Sequence, residues 1–89
     1  MEIIAVCGMG FGTSLMLKMT VDDILNEIGF KANVSALDVG SAKGKKADLI
    51  IASSELEKSL EGVDCKKIFI KNLTDTEEIR KKLLNEIDK

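Results

Sequence analysis

The chain has no histidine among its 89 residues. That removes phosphohistidine chemistry, His-based metal sites and Cys-His nucleophile pairs from it. Aromatic side chains are limited to three Phe, too few for the base-stacking platforms of RNA-binding modules. No apolar run approaches the ~20 residues a membrane span needs, and Met1-Glu2 leading directly into a predicted strand is not a signal peptide, so a cytoplasmic protein is expected. Two cysteines far apart, Cys7 and Cys65, make no disulfide framework and are expected as thiols in a reducing compartment. Thirteen basic against 15 acidic residues leave a net charge of −2, which argues against a general nucleic-acid or membrane-surface binder. No repeat, linker or low-complexity tract divides residues 1–89, which read as a single domain cored by Ile, Leu, Val, Met and Ala. No metal or cofactor is expected.

What is present is organised around Ile3-Ile4-Ala5-Val6-Cys7-Gly8-Met9-Gly10-Phe11-Gly12-Thr13-Ser14. Four consecutive apolar residues suit a strand buried on both faces, alternate glycines free the backbone, and Thr13 or Ser14 can cap the helix that follows. Leu17, Val21, Ile24, Leu25 and Ile28 then recur at helical spacing, and Gly29 is placed to end that helix in the left-handed conformation. Lys31 to Leu37 alternates polar with apolar as a half-exposed edge strand does. Asp38 to Lys46 is polar with two glycines, a loop with at most a short helix and the segment expected to be most mobile.

Leu49 to Ala52 is the second all-apolar strand, and Ser54 with Glu57 forms a capping box for a short helix reaching about Leu60. Lys66 to Ile70 reads as an edge strand opened by lysines. A second box, Thr74 with Glu77, opens a last helix with Ile79, Leu83, Leu84 and Ile87 in one stripe. Strands alternating with helices predict an α/β fold with a four-stranded parallel sheet, and right-handed crossovers give the order 2-1-3-4. Chain direction then reverses between the first and third strands, at whose carboxyl ends open α/β sheets bind ligands. Cys7 falls at that point.

Inward-facing amides and a helix N-terminus there would bind a tetrahedral dianion. They would also favour thiolate over thiol, since such sites bring a Cys from ~8.5 down to ~3.5–7.5. The same amides would hold the outer oxygens of a phosphoryl group on sulfur, which is the logic of a phosphocysteine site. The run Cys7-Gly8-Met9-Gly10-Phe11-Gly12-Thr13-Ser14, with Met16, Lys18-Met19 and Val21 after it, resembles the phosphorylation loop of sugar phosphotransferase system (PTS) IIB proteins. The resemblance is to the lactose/ascorbate/galactitol superfamily and nearest the ascorbate type. It covers the chain in length and element order, with Ala47 to Ser53 and Lys71-Asn72 also placed as in that family.

The resemblance implies a three-layer αβα fold of the Rossmann-like, phosphatase-I-like kind and a phosphotransferase. Cys7 would accept phosphate from a phosphohistidine on a IIA protein and pass it to a sugar held by a membrane IIC permease, with the amides of Gly8, Met9, Gly10, Phe11, Gly12, Thr13 and Ser14 as the cradle. The sugar would be ascorbate-like or related.

Two alternatives stand beside it. A low-molecular-weight tyrosine-phosphatase-like hydrolase builds phosphocysteine in a similar loop, but it requires Arg where Thr13 stands, and the sole arginine is Arg80 in the last helix. It also needs an acid, for which Asp38 and Asp75 are the candidates. A non-catalytic anion-binding module would use the loop only as a sensor. The dinucleotide and P-loop fingerprints do not fit the glycine spacing. Cys65 reads as structural, its thiol lowered much less than that of Cys7 by Lys66 and Lys67. Met9 and Phe11 are expected around the site as partner contacts, while Met16 and Met19 fit core at helical spacing more readily. Lys18 reads as a solvated cation able to attract a phosphorylated partner. Ser53 and Asn72 end strands on the site's edge and are explained by capping or turns.

Overall fold

The computed structural model describes residues 1–6 and 11–87, with side chains described for 1–6 and 15–87. Four strands, β1 (Glu2–Val6), β2 (Asn33–Leu37), β3 (Leu49–Ser53) and β4 (Lys66–Ile70), form one sheet in the order β2-β1-β3-β4. All three ladders are parallel. The two strands without polar interruption take the centre because both of their faces must be covered. Ile3 and Ala5 of β1 meet Leu49 and Ile51 of β3 on one face, and Ile4 and Val6 meet Ile50 and Ala52 on the other.

Helices α1 (Phe11–Ile28) and α3 (Thr76–Ile87) cover the first face. Leu17, Val21, Ile24 and Leu25 of α1 and Ile79 and Leu83 of α3 are buried there. The second face is covered by the short α2 (Val39–Lys43), through Ala42, and by residues 54–63, through Leu56 and Leu60. The three-layer α/β fold with strand order 2-1-3-4 therefore forms as the sequence predicts.

Helix α1 stops where Gly29 takes φ +72°. The Gly29 N–H donates to Asn26 O at 3.3 Å and the Phe30 N–H to Leu25 O at 2.9 Å, while Phe30 packs against the core that contains Leu25. These two bonds and the apolar contact are the Schellman closure. Ile28, in phase with the apolar stripe, is the helix's last residue and is exposed.

Both predicted capping boxes are corrected. Ser54 is not a cap but the first residue of a single 3₁₀ turn, Ser54–Leu56, and the chain proceeds to Val63 through successive turns instead of a regular helix. Its only apolar anchors before Val63 are Leu56 and Leu60, too little to sustain a helix that must repay nucleation. At α3 the cap is Asp75, one residue later than Thr74: its Oδ1 accepts the Glu78 N–H at 3.2 Å. Thr74 is committed elsewhere, donating its N–H and hydroxyl to Asn72 Oδ1 at 3.0 and 2.7 Å in an Asx turn.

Candidate functional site

The site is framed from both sides by described backbone. Strand β1 ends at Val6, buried, with Leu37 of β2 and Ala52 of β3 as its register partners. Helix α1 begins at Phe11 and runs back over the sheet. Thr13 and Ser14 are thus inside the first turn of the helix, not at its cap. The correction strengthens the frame. The first four N–H groups of an α-helix have no intrahelical acceptor, and those of Phe11, Gly12 and Thr13 are among them here, at the positive end of the helix dipole.

Cys7, Gly8, Met9 and Gly10, and the side chains of Phe11, Thr13 and Ser14, lie outside the described residues. The link they occupy joins the carboxyl end of a central strand to a helix N-terminus at the switch point of the sheet.

On one flank of this link β2 ends at Leu37 and Asp38 follows. Its carboxylate accepts the Ser41 N–H at 3.3 Å as the cap of α2, and hydrogen bonding from Ser41, its hydroxyl first and its N–H after, holds the carboxyl below the ordinary carboxylate range. Asp38 is therefore ionised at neutral pH and engaged, a poor general acid. Asp75, the other candidate acid of the hydrolase reading, is engaged as the cap of α3. Arg80 cannot serve that reading either, since its guanidinium meets Glu27 at 2.7 Å, near the far end of α1.

On the other flank, Ser53 ends β3 and is buried, the single buried polar side chain among the described residues. Its hydroxyl donates to Glu55 Oε1 at 3.3 Å, a long bond.

Residues 71–74 after β4 are fixed by a device the sequence did not signal. The carboxylate of Glu78 accepts the N–H groups of Lys71 at 2.8 Å and Asn72 at 3.1 Å, and the ammonium of Lys82 at 3.0 Å. These donors hold the Glu78 carboxyl down at about 2, the Lys71 N–H contributing most. Lys82 also donates to Phe69 O at 2.6 Å, tying α3 to the edge strand. In the sequence Glu78 looks like any acidic residue in a first helical turn.

Leu15, Met16 and Met19 are 52%, 42% and 58% exposed, so the methionines expected in the core lie outside it. The buried stripe that starts at Leu17 leaves them on the outward side of α1. Lys18 meets Asp22 at 2.8 Å, half-exposed, so its charge is partly offset.

Cys65 precedes β4 at the amino end of the sheet, beside a cleft of about 770 Å³ that Glu2, Lys46, Asp48 and Val63 also line. Burial pushes its thiol up, Lys67 opposing; the lowering expected from the neighbouring lysines is outweighed. Thiol and cleft both stand at the opposite end of the sheet from Val6. Among the described residues no cluster of Asp, Glu or Cys could hold a metal ion, and no helix is long and apolar enough to cross a membrane.

Comparison with known proteins agrees with this frame. The family model for the lactose/cellobiose-specific IIB subunit of the PTS matches residues 2–85. The ascorbate-specific PTS EIIB component of Mycoplasma pneumoniae is 40% identical over 86 residues, covering 93% of this chain and 90% of that protein. That of Escherichia coli O157:H7 is 40% identical over 57 residues, 62% of this chain and 56% of the other. Among solved structures, the lactose-specific IIB domain from Streptococcus pneumoniae superposes with a TM-score of 0.65 over 99% of this chain and 95% of its own, at 18% identity, a likeness of fold. A strand-loop-helix frame at the switch point, in a chain matched nearly end to end, places this protein in the PTS IIB family as a phosphotransferase component of a sugar phosphotransferase system.

Proposed function

We propose that this IIB protein carries a phosphoryl group on Cys7, taken from a phosphohistidine of a IIA protein and given to a sugar bound by a membrane IIC permease, the carrier itself working in the cytoplasm. The observation that supports this most directly is the first turn of α1, whose leading amides have no intrahelical acceptor, separated by four residues from the end of a central strand. A thiolate placed before them attacks phosphorus: an S–P bond forms as the N–P bond breaks, and the electron pair stays on the nitrogen of a donor ring protonated at its other nitrogen, which leaves as neutral imidazole. The amides of Gly8 to Ser14 offset charge on the three outer oxygens through the transfer. In the second step a sugar hydroxyl attacks phosphorus, its proton passes to a base, and the thiolate is released.

A carrier must keep its phosphoryl group from water. Thr13 in place of a clamping arginine, together with Asp38 and Asp75 engaged as helix caps, suits retention and disfavours the hydrolase reading. Relatives named as ascorbate-specific favour an ascorbate-like substrate.

Incubation with a phosphorylated IIA donor, followed by peptide mapping, tests the proposal. Label is expected on Cys7 alone and is lost in Cys7→Ala. Label on Ser14, Ser53 or Cys65 would overturn it, and sustained phosphate release without a sugar acceptor would revive the hydrolase.

A further inference from the structure

Leu15, Met16 and Met19 are exposed together on one stretch of α1. Met19 stands four residues after Leu15 and three after Met16, so it neighbours both on the helix surface and the three make one patch. Single exposed apolar residues need no explanation, but a contiguous patch marks a surface that another molecule covers. Folding does not account for it, since Leu17, Val21, Ile24 and Leu25 supply the buried side of the same helix. At ~1.5 Å per residue, Leu15 lies ~6 Å and Met19 ~12 Å along the axis from Phe11, where α1 begins. A partner of ordinary size covers ~800 Å² of each surface, a disc of ~16 Å radius, so one centred on the start of α1 reaches the whole patch.

The charges bordering this surface are mostly negative. The next turn of the same helix face places Asp22 and Asp23 beside Met19. Lys18 pairs with Asp22 at 2.8 Å, whereas Asp23 is exposed and has no ion pair among the described residues. At the carboxyl end of the sheet Asp38, Glu55 and Asp75 are likewise exposed and form no ion pair among the described residues, against one cation in the same state, Lys71.

We propose that Leu15, Met16 and Met19, with Asp23 at their border, form the surface on which the IIC permease docks, its cytoplasmic loops laying an apolar contact on the patch and lysines or arginines beside the acids. The inference rests on the reading of this chain as a phosphoryl carrier. Of a carrier's two partners, the permease is the one whose charge is set by its location, because cytoplasmic loops of membrane proteins carry an excess of Lys and Arg. A IIA donor arrives with about 1.5–2 negative charges on its phosphoryl group, which an acidic border repels. After transfer those charges belong to this chain and strengthen its attraction to the basic loops. Anionic lipid repels the same border, so the occupant is the permease and not the bilayer around it. Methionine suits such a surface, being unbranched and able to adapt to a partner's shape.

Sugar phosphorylation by inverted membrane vesicles containing the permease tests this, with the phosphorylated chain as the varied substrate, in wild type, Leu15→Gln/Met19→Gln and Asp23→Lys. Gln is close to Leu and Met in helix propensity and all three positions are exposed, so both variants should fold. The double variant should raise KM at least about 10-fold with kcat within about 2-fold. Asp23→Lys should raise KM about 3-fold at low salt and approach wild type in about 1 M salt. With phosphorylated IIA as donor, both variants should accept phosphate within about 2-fold of wild type. An unchanged KM at the permease, or an equal loss with IIA, would overturn the inference. Co-sedimentation of the unphosphorylated chain with the same vesicles needs no phosphate: wild type should be retained, the double variant released, and vesicles of anionic lipid alone should retain neither. Equal retention of the two, or retention of wild type by lipid alone, would also overturn it. Label failing to reach Cys7 while wild type and double variant still differ in sedimentation would refute the carrier reading instead.

Discussion

Two leucines allow the cost of losing core to be separated from the cost of loosening the site. Leu17 of α1 and Leu83 of α3 are both fully buried in the same cluster on the same face of the sheet. Truncating either to alanine removes the same atoms from equivalent surroundings, at about 2–5 kcal/mol each. At about 0.05–0.15 kcal/mol per residue a chain of this length holds about 4–13 kcal/mol, so the less costly outcomes leave both variants folded at 25 °C. With a urea slope of about 1–3 kcal/mol/M, both unfolding midpoints should fall by about 0.7–5 M and by similar amounts.

Function should separate them. Leu17 sits less than two turns from the start of α1 and pins that end to β1, whereas Leu83 lies about two turns into α3, whose link to the carboxyl end runs through Glu78. A 1 Å displacement of aligned groups is enough to slow a transfer about 100-fold, so Leu17→Ala should lower the rate of phosphoryl acceptance from a IIA donor by at least about 10-fold. Leu83→Ala should remain within about 2-fold of wild type, once both are measured where circular dichroism shows them folded. Equal slowing by the two variants would refute the claim that α1 packing positions the acceptor, leaving global stability as the common cause.

Two further expectations follow from single residues. The Glu78 carboxyl lies at about 2 against an ordinary 4.5, so its contribution is full above about pH 4.5 and is lost as pH falls through about 2. Urea midpoints of wild type and Glu78→Gln should therefore differ at pH 7 and converge by pH 2; a constant difference would mean the carboxylate's charge plays no part. Gly29→Ala places a Cβ where no atom lies within 4 Å, so its cost is backbone strain at φ +72° alone, about 1–2 kcal/mol and a fall in Tm of about 4–16 °C by calorimetry. An unchanged Tm would show that the left-handed closure is not what ends α1.

What the sequence made legible was whatever depended on one-dimensional pattern. The apolar runs at Ile3 and Leu49 had to be central because no alternation offered a wet face, and the lysines opening β4 had to be at an edge. Strand order then followed from handedness alone, and the switch point at the end of β1 from strand order. What escaped was whatever depended on competition between equivalent local choices. Thr74 and Asp75 cap equally well in isolation; Asp75 wins because Asn72 has already engaged Thr74, a contest settled by the geometry of the turn leaving β4. Met16 and Met19 fit a helix stripe as well as Leu17 and Val21 do until the sheet chooses a face.

Glu78 and Ser53 escaped for a further reason, since the partners that give them meaning are brought near by the fold and not by spacing. Both concern the carboxyl end of the sheet. Glu78 fixes the backbone after β4 through N–H groups that would otherwise need water, and Ser53 ends β3 buried with a hydroxyl only weakly engaged. A strand end that serves packing alone has no use for a buried hydroxyl, and an apolar residue would be the cheaper choice beside Ile51 and Ile70. The contrast with the amino end of the sheet is the argument. There Cys65 is shielded enough that its thiol is pushed up and Lys67 does not reverse it, the state of an inert thiol. The first turn of α1 and the buried hydroxyl of Ser53 both lie at the carboxyl end. The role proposed for Cys7 requires the opposite push, which the first-turn amides of α1 would supply in a chain without histidine.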